Sequence, residues 1–310
     1  MNSRCWYMMN IKYKSEIIED IRNKKDLKAL DEDFVNKKLD AFFSDIHNNQ
    51  FKEKILAKLE QSKSYKQFSK SGEHDFLIKT VRAELRKVYG AFILEDYGKK
   101  YKILDKLTKG LSPDGEMDVH KELFALHKST KERMSHFEEI YDQIFFLLKN
   151  HGLKKSKYTV LDLACGLNPL SNIYFRNKIE KYYASDISSQ DCEFLRAYFQ
   201  KANIDSEVFP MDLADEKNYP ILSRIKCDIC FIFKTLDGLE RVQRNITQKL
   251  LGSINTEYFA ITFPTLTLSG HREIKEHRRL WLEKMLDDLG WKWEKQLIEN
   301  ELLYFVGKVK

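Results

Sequence analysis

Val160-Leu161-Asp162-Leu163-Ala164-Cys165-Gly166-Leu167-Asn168-Pro169-Leu170 is an apolar run that carries one acid and opens into a glycine-containing turn. A strand ending at Leu163 and a turn from Ala164 to Pro169 form the first strand-to-helix unit of a parallel α/β sheet, where a bound ligand comes closest to the backbone. Gly166 permits that approach, and Asp162 at the strand end can meet a cationic amine. A dinucleotide fingerprint needs three glycines, and this turn has one.

Outward from this turn, short apolar runs alternate with amphipathic stretches from Lys157 onward, which predicts an α/β domain over 151–310 with a largely parallel, Rossmann-like sheet. Strands are expected at 158–163, 181–186, 206–210, 227–233, 258–263, 292–298 and 301–308, and helices at 189–202, 239–252 and 272–289. The last two strands leave no room for a helix between them, so they should form an antiparallel hairpin. Cys227 and Cys230 make a C-x-x-C pair without a second pair or nearby histidines. The pair reads as part of a buried strand with its side chains on opposite faces, and no metal site is expected.

Two further acids fall at strand ends. Asp186, in Tyr183-Ala184-Ser185-Asp186-Ile187, lies about 20 residues past the first turn, where a ribose hydroxyl pair would sit. Asp212, in Phe209-Pro210-Met211-Asp212-Leu213, follows the third strand and can accept from an adenine amino group. Three acids at successive strand ends suit adenosine plus an amino-acid moiety better than a pyrophosphate, which favours a glycine-rich helix start. S-adenosylmethionine fits this set.

Upstream of the sheet the chain reads as helical and charged. Residues 1–60 form an extension with apolar positions at Ile17, Ile18, Ile21, Leu27 and Leu30, its first ten residues expected to be mobile; residues 61–150 are expected to form a helical domain whose basic face suits an RNA backbone. Leu77, Val81, Leu85 and Val88 follow one helical face, with Lys79, Arg82 and Arg86 opposite and Lys66 and Lys70 just before. Residues 61–110 hold twelve Lys/Arg against six Asp/Glu, a net charge equal to that of the whole chain. A solvated helix face gives the same pattern; a polyanion partner explains why the charge is concentrated. A second long helix is expected over 118–148, with Ser129 or Thr130 capping a turn inside it.

With 43% hydrophobic residues the chain can build a core, and its 12 glycines, 5 prolines and 32% charged residues suit a helix-rich soluble protein. The apolar run at Phe145 to Leu148 is too short to span a bilayer. Five cysteines in no framework and the lack of a leader-like apolar start lead to the expectation of a cytoplasmic protein, and the lack of heptads to that of a monomer.

Several segments together resemble the aminoglycoside-resistance 16S ribosomal RNA (guanine-N7) methyltransferases. They are His127-Lys128-Ser129-Thr130-Lys131-Glu132-Arg133, the first-strand motif, Phe231-Ile232-Phe233-Lys234-Thr235-Leu236 with Leu239-Glu240-Arg241-Val242-Gln243, Phe263-Pro264-Thr265, and Glu301-Leu302-Leu303-Tyr304. The resemblance covers roughly 62–310 and implies methyl transfer from S-adenosylmethionine to guanine N7 in the decoding region of 16S ribosomal RNA, within the assembled small subunit. It implies that Arg133 binds the cofactor carboxylate, that Gly166 with Ala164 and Asp162 holds the methionine portion, that Asp186 with Ile187 takes the ribose, and that Asp212 with Leu213 takes the adenine. Phe233 and Gln243 would line the pocket and Lys234 the active centre. Family members often carry a basic residue after Phe-Pro-Thr and a proline after the Lys234 strand; this chain has Leu266 and Asp237-Gly238 there, while His271, Arg272 and Lys275 keep the next segment basic, with Arg272 an RNA contact.

Amino-group methyltransferases show an Asn/Asp-Pro-Pro-aromatic motif where this chain has Phe233-Lys234-Thr235-Leu236, and pyrimidine C5 enzymes need a nucleophilic cysteine, commonly after a proline; no cysteine here follows one. Two other readings stay open: the same fold acting on another RNA nucleotide or a transfer RNA, and a ribosome-binding protein without turnover.

Overall fold

The computed structural model describes residues 11–45, 49–267 and 272–308. The first ten residues and His271 lie outside them. The chain divides into two compact units, one running through Ala91 and one beginning at Phe92.

The first unit is helical, with helices Lys14–Arg22, Glu32–Ser44, Asn49–Gln61, Tyr65–Phe68 and Gly72–Val88. The expected apolar positions Ile17, Ile18, Ile21, Leu27 and Leu30 are all buried. Gly72–Val88 starts where the Ser71 hydroxyl accepts the His74 N–H at 3.2 Å, with Glu73 and Asp75 in its first turn and Arg86 and Lys87 in its last, both complementing the helix dipole. Its buried stripe is His74, Leu77, Ile78, Val81 and Leu85. Val88, expected on that stripe, is exposed because the helix ends there.

The second unit is built on seven strands, β1 (Tyr158–Leu163), β2 (Ile179–Asp186), β3 (Ser206–Pro210), β4 (Ile229–Phe233), β5 (Tyr258–Pro264), β6 (Lys292–Ile298) and β7 (Glu301–Gly307). Their order is β3-β2-β1-β4-β5-β7-β6; β1 to β5 are mutually parallel, and β7 runs antiparallel between β5 and β6. Strand order reverses between β1 and β4, so their carboxyl ends open a crevice. Along β1, Val160 joins one apolar layer with Leu123, Phe137, Tyr141 and Phe231, while Leu161 and Leu163 join the other with Ile232, Phe259, Leu250 and Leu286. That alternation is the two-residue period of a strand covered on both faces.

Helices expected in a separate 61–150 domain thus share a core with the sheet from Tyr97 onward, and the compact units divide at 91/92. The long helix expected over 118–148 is three helices, Pro113–Phe124, Lys128–Arg133 and Phe137–Asn150. The Thr130 hydroxyl donates to the carbonyls of Phe124 at 2.7 Å and His127 at 2.9 Å, and so ties the break together rather than capping an N–H. The 239–252 helix is likewise two, Leu236–Val242 and Ile246–Ser253, separated at Asn245 with φ 63°. The 272–289 stretch is helical only over Leu280–Asp288, preceded by a 3-10 turn at Glu276–Arg279. Cys227 lies before β4, outside the strand alternation, so it packs in the same apolar cluster as Cys230 instead of on the opposite face.

Candidate cofactor site at the β1 and β4 strand ends

The turn after β1 runs through the left-handed region at Ala164, φ 49°, and Gly166, φ 51°. At Gly166 a side chain would stand 3.0 Å from His127 Cε1 and Nε2, so the backbone rests against that imidazole. The ring stacks on Phe92 at 5.8 Å, and its burial pushes its pKa down to about 4, keeping it neutral. The Gly166 N–H donates to Asp186 Oδ2 at 2.8 Å and the Ser188 N–H to Oδ1 at 3.2 Å, fixing the carboxylate at the end of β2 beside the β1 turn. Burial, then the charge of Asp191, raises Asp186 to about 6.

Asp162 is buried beneath the turn. Its Oδ2 accepts from Asn168 Nδ2 and the Tyr182 hydroxyl, both at 2.8 Å, whereas its buried Oδ1 has no hydrogen-bond partner. Burial raises this carboxyl to about 7.

Arg133 ends its short helix inside the core, 1% exposed. Its Nε donates to Glu301 Oε1 at 2.8 Å and Oε2 at 2.9 Å, its Nη1 donates to Asn168 Oδ1 at 3.2 Å, and its guanidinium lies 4.9 Å from the Phe233 ring centroid. Nη2 is buried without a partner. At the end of β4, Lys234 takes φ 57°, and its Nζ lies 3.0 Å from both Glu132 Oε2 and Glu301 Oε2. Burial alone would raise the Glu301 carboxyl, but Arg133 and Lys234 outweigh it and hold it below the usual range. Two cations thus face two carboxylates, and left-handed backbone at both strand ends turns these groups toward one crevice.

The other expected residues divide. Leu213 is buried and Ile187 and Asp212 half-buried; the Asp212 carboxylate accepts the Ala214 N–H at 2.9 Å, and Met211 N–H to the Asp186 carbonyl, 2.8 Å, ties the β3 end to the β2 end. Gln243 is exposed and donates to Glu216 Oε1 at 2.9 Å. Arg272 is exposed. Asp237 is held by buried Arg279 at 2.7 Å, which itself lies 4.5 Å from the Phe263 ring centroid. In the first unit Lys66, Lys70 and Lys79 are exposed. Arg82, in contrast, donates to the carbonyls of Asp20 and Ile21, and Arg86 pairs with Asp26 at 2.6 Å. Glu301, Glu132, Asn168 and Tyr182 have no role implied by the sequence, although the first three stand inside the segments that carry the resemblance and Glu301 heads the apolar run Leu302 to Val306.

The donor set fits the methionine portion of S-adenosylmethionine. An orphaned guanidinium nitrogen seeks a carboxylate, an orphaned carboxylate oxygen seeks an ammonium, and both are buried beside a turn that leaves no room for a side chain. With the strand order, this site defines a Rossmann-like methyltransferase whose methyl donor is S-adenosylmethionine. Residues 58–306 match the family described as ribosomal RNA methyltransferase (FmrO), and the chain belongs to that family.

A 16S rRNA (guanine(1405)-N(7))-methyltransferase of Serratia marcescens is 31% identical over 232 residues, covering 74% of this chain and 83% of that protein. One of Frankia casuarinae is 27% identical over 242 residues, covering 76% and 82%. Among solved structures, the 16S rRNA methyltransferase RmtF in complex with S-adenosyl-L-homocysteine matches with TM-score 0.70 at 20% identity over 99% of both chains, a likeness of fold. An rRNA methylase from Escherichia coli matches with TM-score 0.63 at 25% identity, covering 95% of this chain and 99% of that one.

Proposed function

We propose that the protein methylates guanine N7 in the decoding region of 16S ribosomal RNA, acting as a cytoplasmic monomer on the assembled small subunit. Among the described residues, no helix is long and apolar enough to cross a membrane. The observation that carries the reading is the pairing of the Arg133 and Asp162 orphans around Gly166, joined to the Lys234 centre through Glu301. The named relatives supply the target.

When bound, the sulfonium supplies an electrophilic methyl that N7 takes with its own lone pair, while the sulfur keeps the bonding electrons and the positive charge passes to the base. N7 carries no proton, so no general base is required. The residues have to hold and orient. Arg133 and Asp162 would grip the two ends of the amino-acid moiety, and Asp186 and Asp212 would take ribose and adenine. Lys234, held by Glu132 and Glu301, would line the transfer site; because the two cations and two carboxylates balance, a positive charge can move across the centre without strong repulsion.

Small subunits incubated with the protein and methyl-labelled cofactor should gain one label, mapping to guanine N7 in the decoding region. Label at another nucleotide, or only on transfer RNA, would replace the substrate and keep the reaction. The departures at Leu266 and Asp237 make that mapping the decisive measurement, since Asp237 is tied to Arg279. No heat of cofactor binding in calorimetry would leave a ribosome-binding protein without turnover.

A further inference from the structure

Phe51 and Phe76 are 51% and 37% exposed, yet their rings stack on each other, 4.9 Å between centroids and 20° between planes. They come from two packed helices of the first unit, Asn49–Gln61 and Gly72–Val88. The core between these helices is closed without them, since Ile55, Leu59, Leu77 and Val81 are buried. The paired rings are therefore surplus to the fold, an apolar patch in a position that a solvated helix fills with polar groups. Lysines stand beside it. Lys54 Nζ lies 5.6 Å from the Phe51 ring centroid, exposed Lys79 is one turn from Phe76, and Lys58 is one turn from Lys54.

We propose that Phe51 and Phe76 form a stacking platform for an unpaired nucleotide of the ribosomal RNA substrate, with Lys54 and Lys79 reaching the flanking phosphates. The inference rests on the RNA reading above and moves its contact surface. Arg82 and Arg86, on sequence the strongest phosphate ligands of this helix, are held by Asp20, Ile21 and Asp26 within the unit, whereas exposed Lys79 and Lys54 stand beside the rings. A phenyl face accepts any base, and the charge beside it selects a polyanion over an apolar protein partner.

The test uses the full chain and isolated small ribosomal subunits. Replacing both rings, Phe51→Ala with Phe76→Ala, should lower the melting temperature only modestly, leave cofactor affinity unchanged and weaken subunit binding about tenfold or more, with the slope of affinity against salt preserved because every lysine–phosphate pair stays in place. Tyrosine at both positions should keep binding, and leucine at both should not. An unchanged dissociation constant for the alanine pair overturns the platform, and so does rescue by leucine, which would indicate an apolar protein contact. If the unaltered protein fails to bind subunits, the RNA reading falls and takes the platform with it; if it binds and the alanine pair binds equally well, the platform alone falls.

Discussion

Glu301 receives the Arg133 Nε–H on both carboxylate oxygens, at 2.8 and 2.9 Å, across 168 residues of chain, and also holds Lys234 at 3.0 Å. One buried acid from β7 therefore supports cations from a helix before the sheet and from the end of β4. Removing it in Glu301→Ala leaves buried Arg133 without its acid and Lys234 with Glu132 alone, a loss of roughly 3–5 kcal/mol in such cases. Urea denaturation should show a lower midpoint, with cofactor affinity falling as well. Glu301→Gln, which keeps an acceptor, should be milder; equal stability of wild type and the alanine variant would mean that Arg133 finds another partner.

Gly166→Ala asks a left-handed turn to take a side chain that collides with His127 at 3.0 Å. The backbone strain alone is roughly 1–2 kcal/mol. Cofactor affinity should drop more than stability does, because relief of the clash moves the turn itself. Calorimetric titration beside thermal unfolding separates the two, and a variant with native cofactor affinity would remove Gly166 from the site.

Asp162 rises from 3.8 to about 7 and Asp186 from 3.8 to about 6, both because burial disfavours the charge. A raised carboxyl stabilises the fold below its unfolded value and loses that contribution as pH climbs through the folded one. The ligand-free protein should therefore lose stability from these groups between about pH 4 and pH 7. An ammonium seated on Asp162 restores its charge, so cofactor binding near pH 6 should release a proton. Calorimetry in two buffers of different ionisation heat reads that release directly, and identical heats would contradict it.

Replacing Lys66, Lys70 and Lys79 with alanine should weaken binding to small subunits and flatten its salt dependence, by about 0.7–0.9 in log–log slope for each phosphate that the variant no longer neutralises. Arg82→Ala should instead lower the melting temperature, since its guanidinium holds the carbonyls of Asp20 and Ile21. A salt slope that moves for Arg82 and stays fixed for the lysines would reverse this assignment.

The sheet is largely legible in the sequence because apolar runs alternate with amphipathic helices at short range, and helix Ser189–Ala202 falls where its pattern places it. The place of β7 between two other strands does not follow from local order along the chain, although its seven buried residues mark an interior strand and the exposed Lys292, Glu294, Lys295 and Gln296 of β6 mark an edge. The helix break after Phe124 depends on one threonine hydroxyl, and a 3.6-residue pattern runs through such a break unaltered. Arg82 and Arg86 look free in the sequence because their acceptors lie about 60 residues upstream, beyond any local period. At the site, the acids at strand ends follow from strand positions, whereas Glu301 joins them only through antiparallel pairing of β7 with β5.

The insertion of β7 between β5 and β6 also sets an order of events during synthesis. Arg133, Asp162 and Lys234 all emerge from the ribosome before Glu301, and until β7 enters the sheet Arg133 lacks the acid that holds it and Lys234 has Glu132 alone. A nascent chain would thus carry an unfinished pocket, and competence would arrive in one late step when two strands already made accept a third between them.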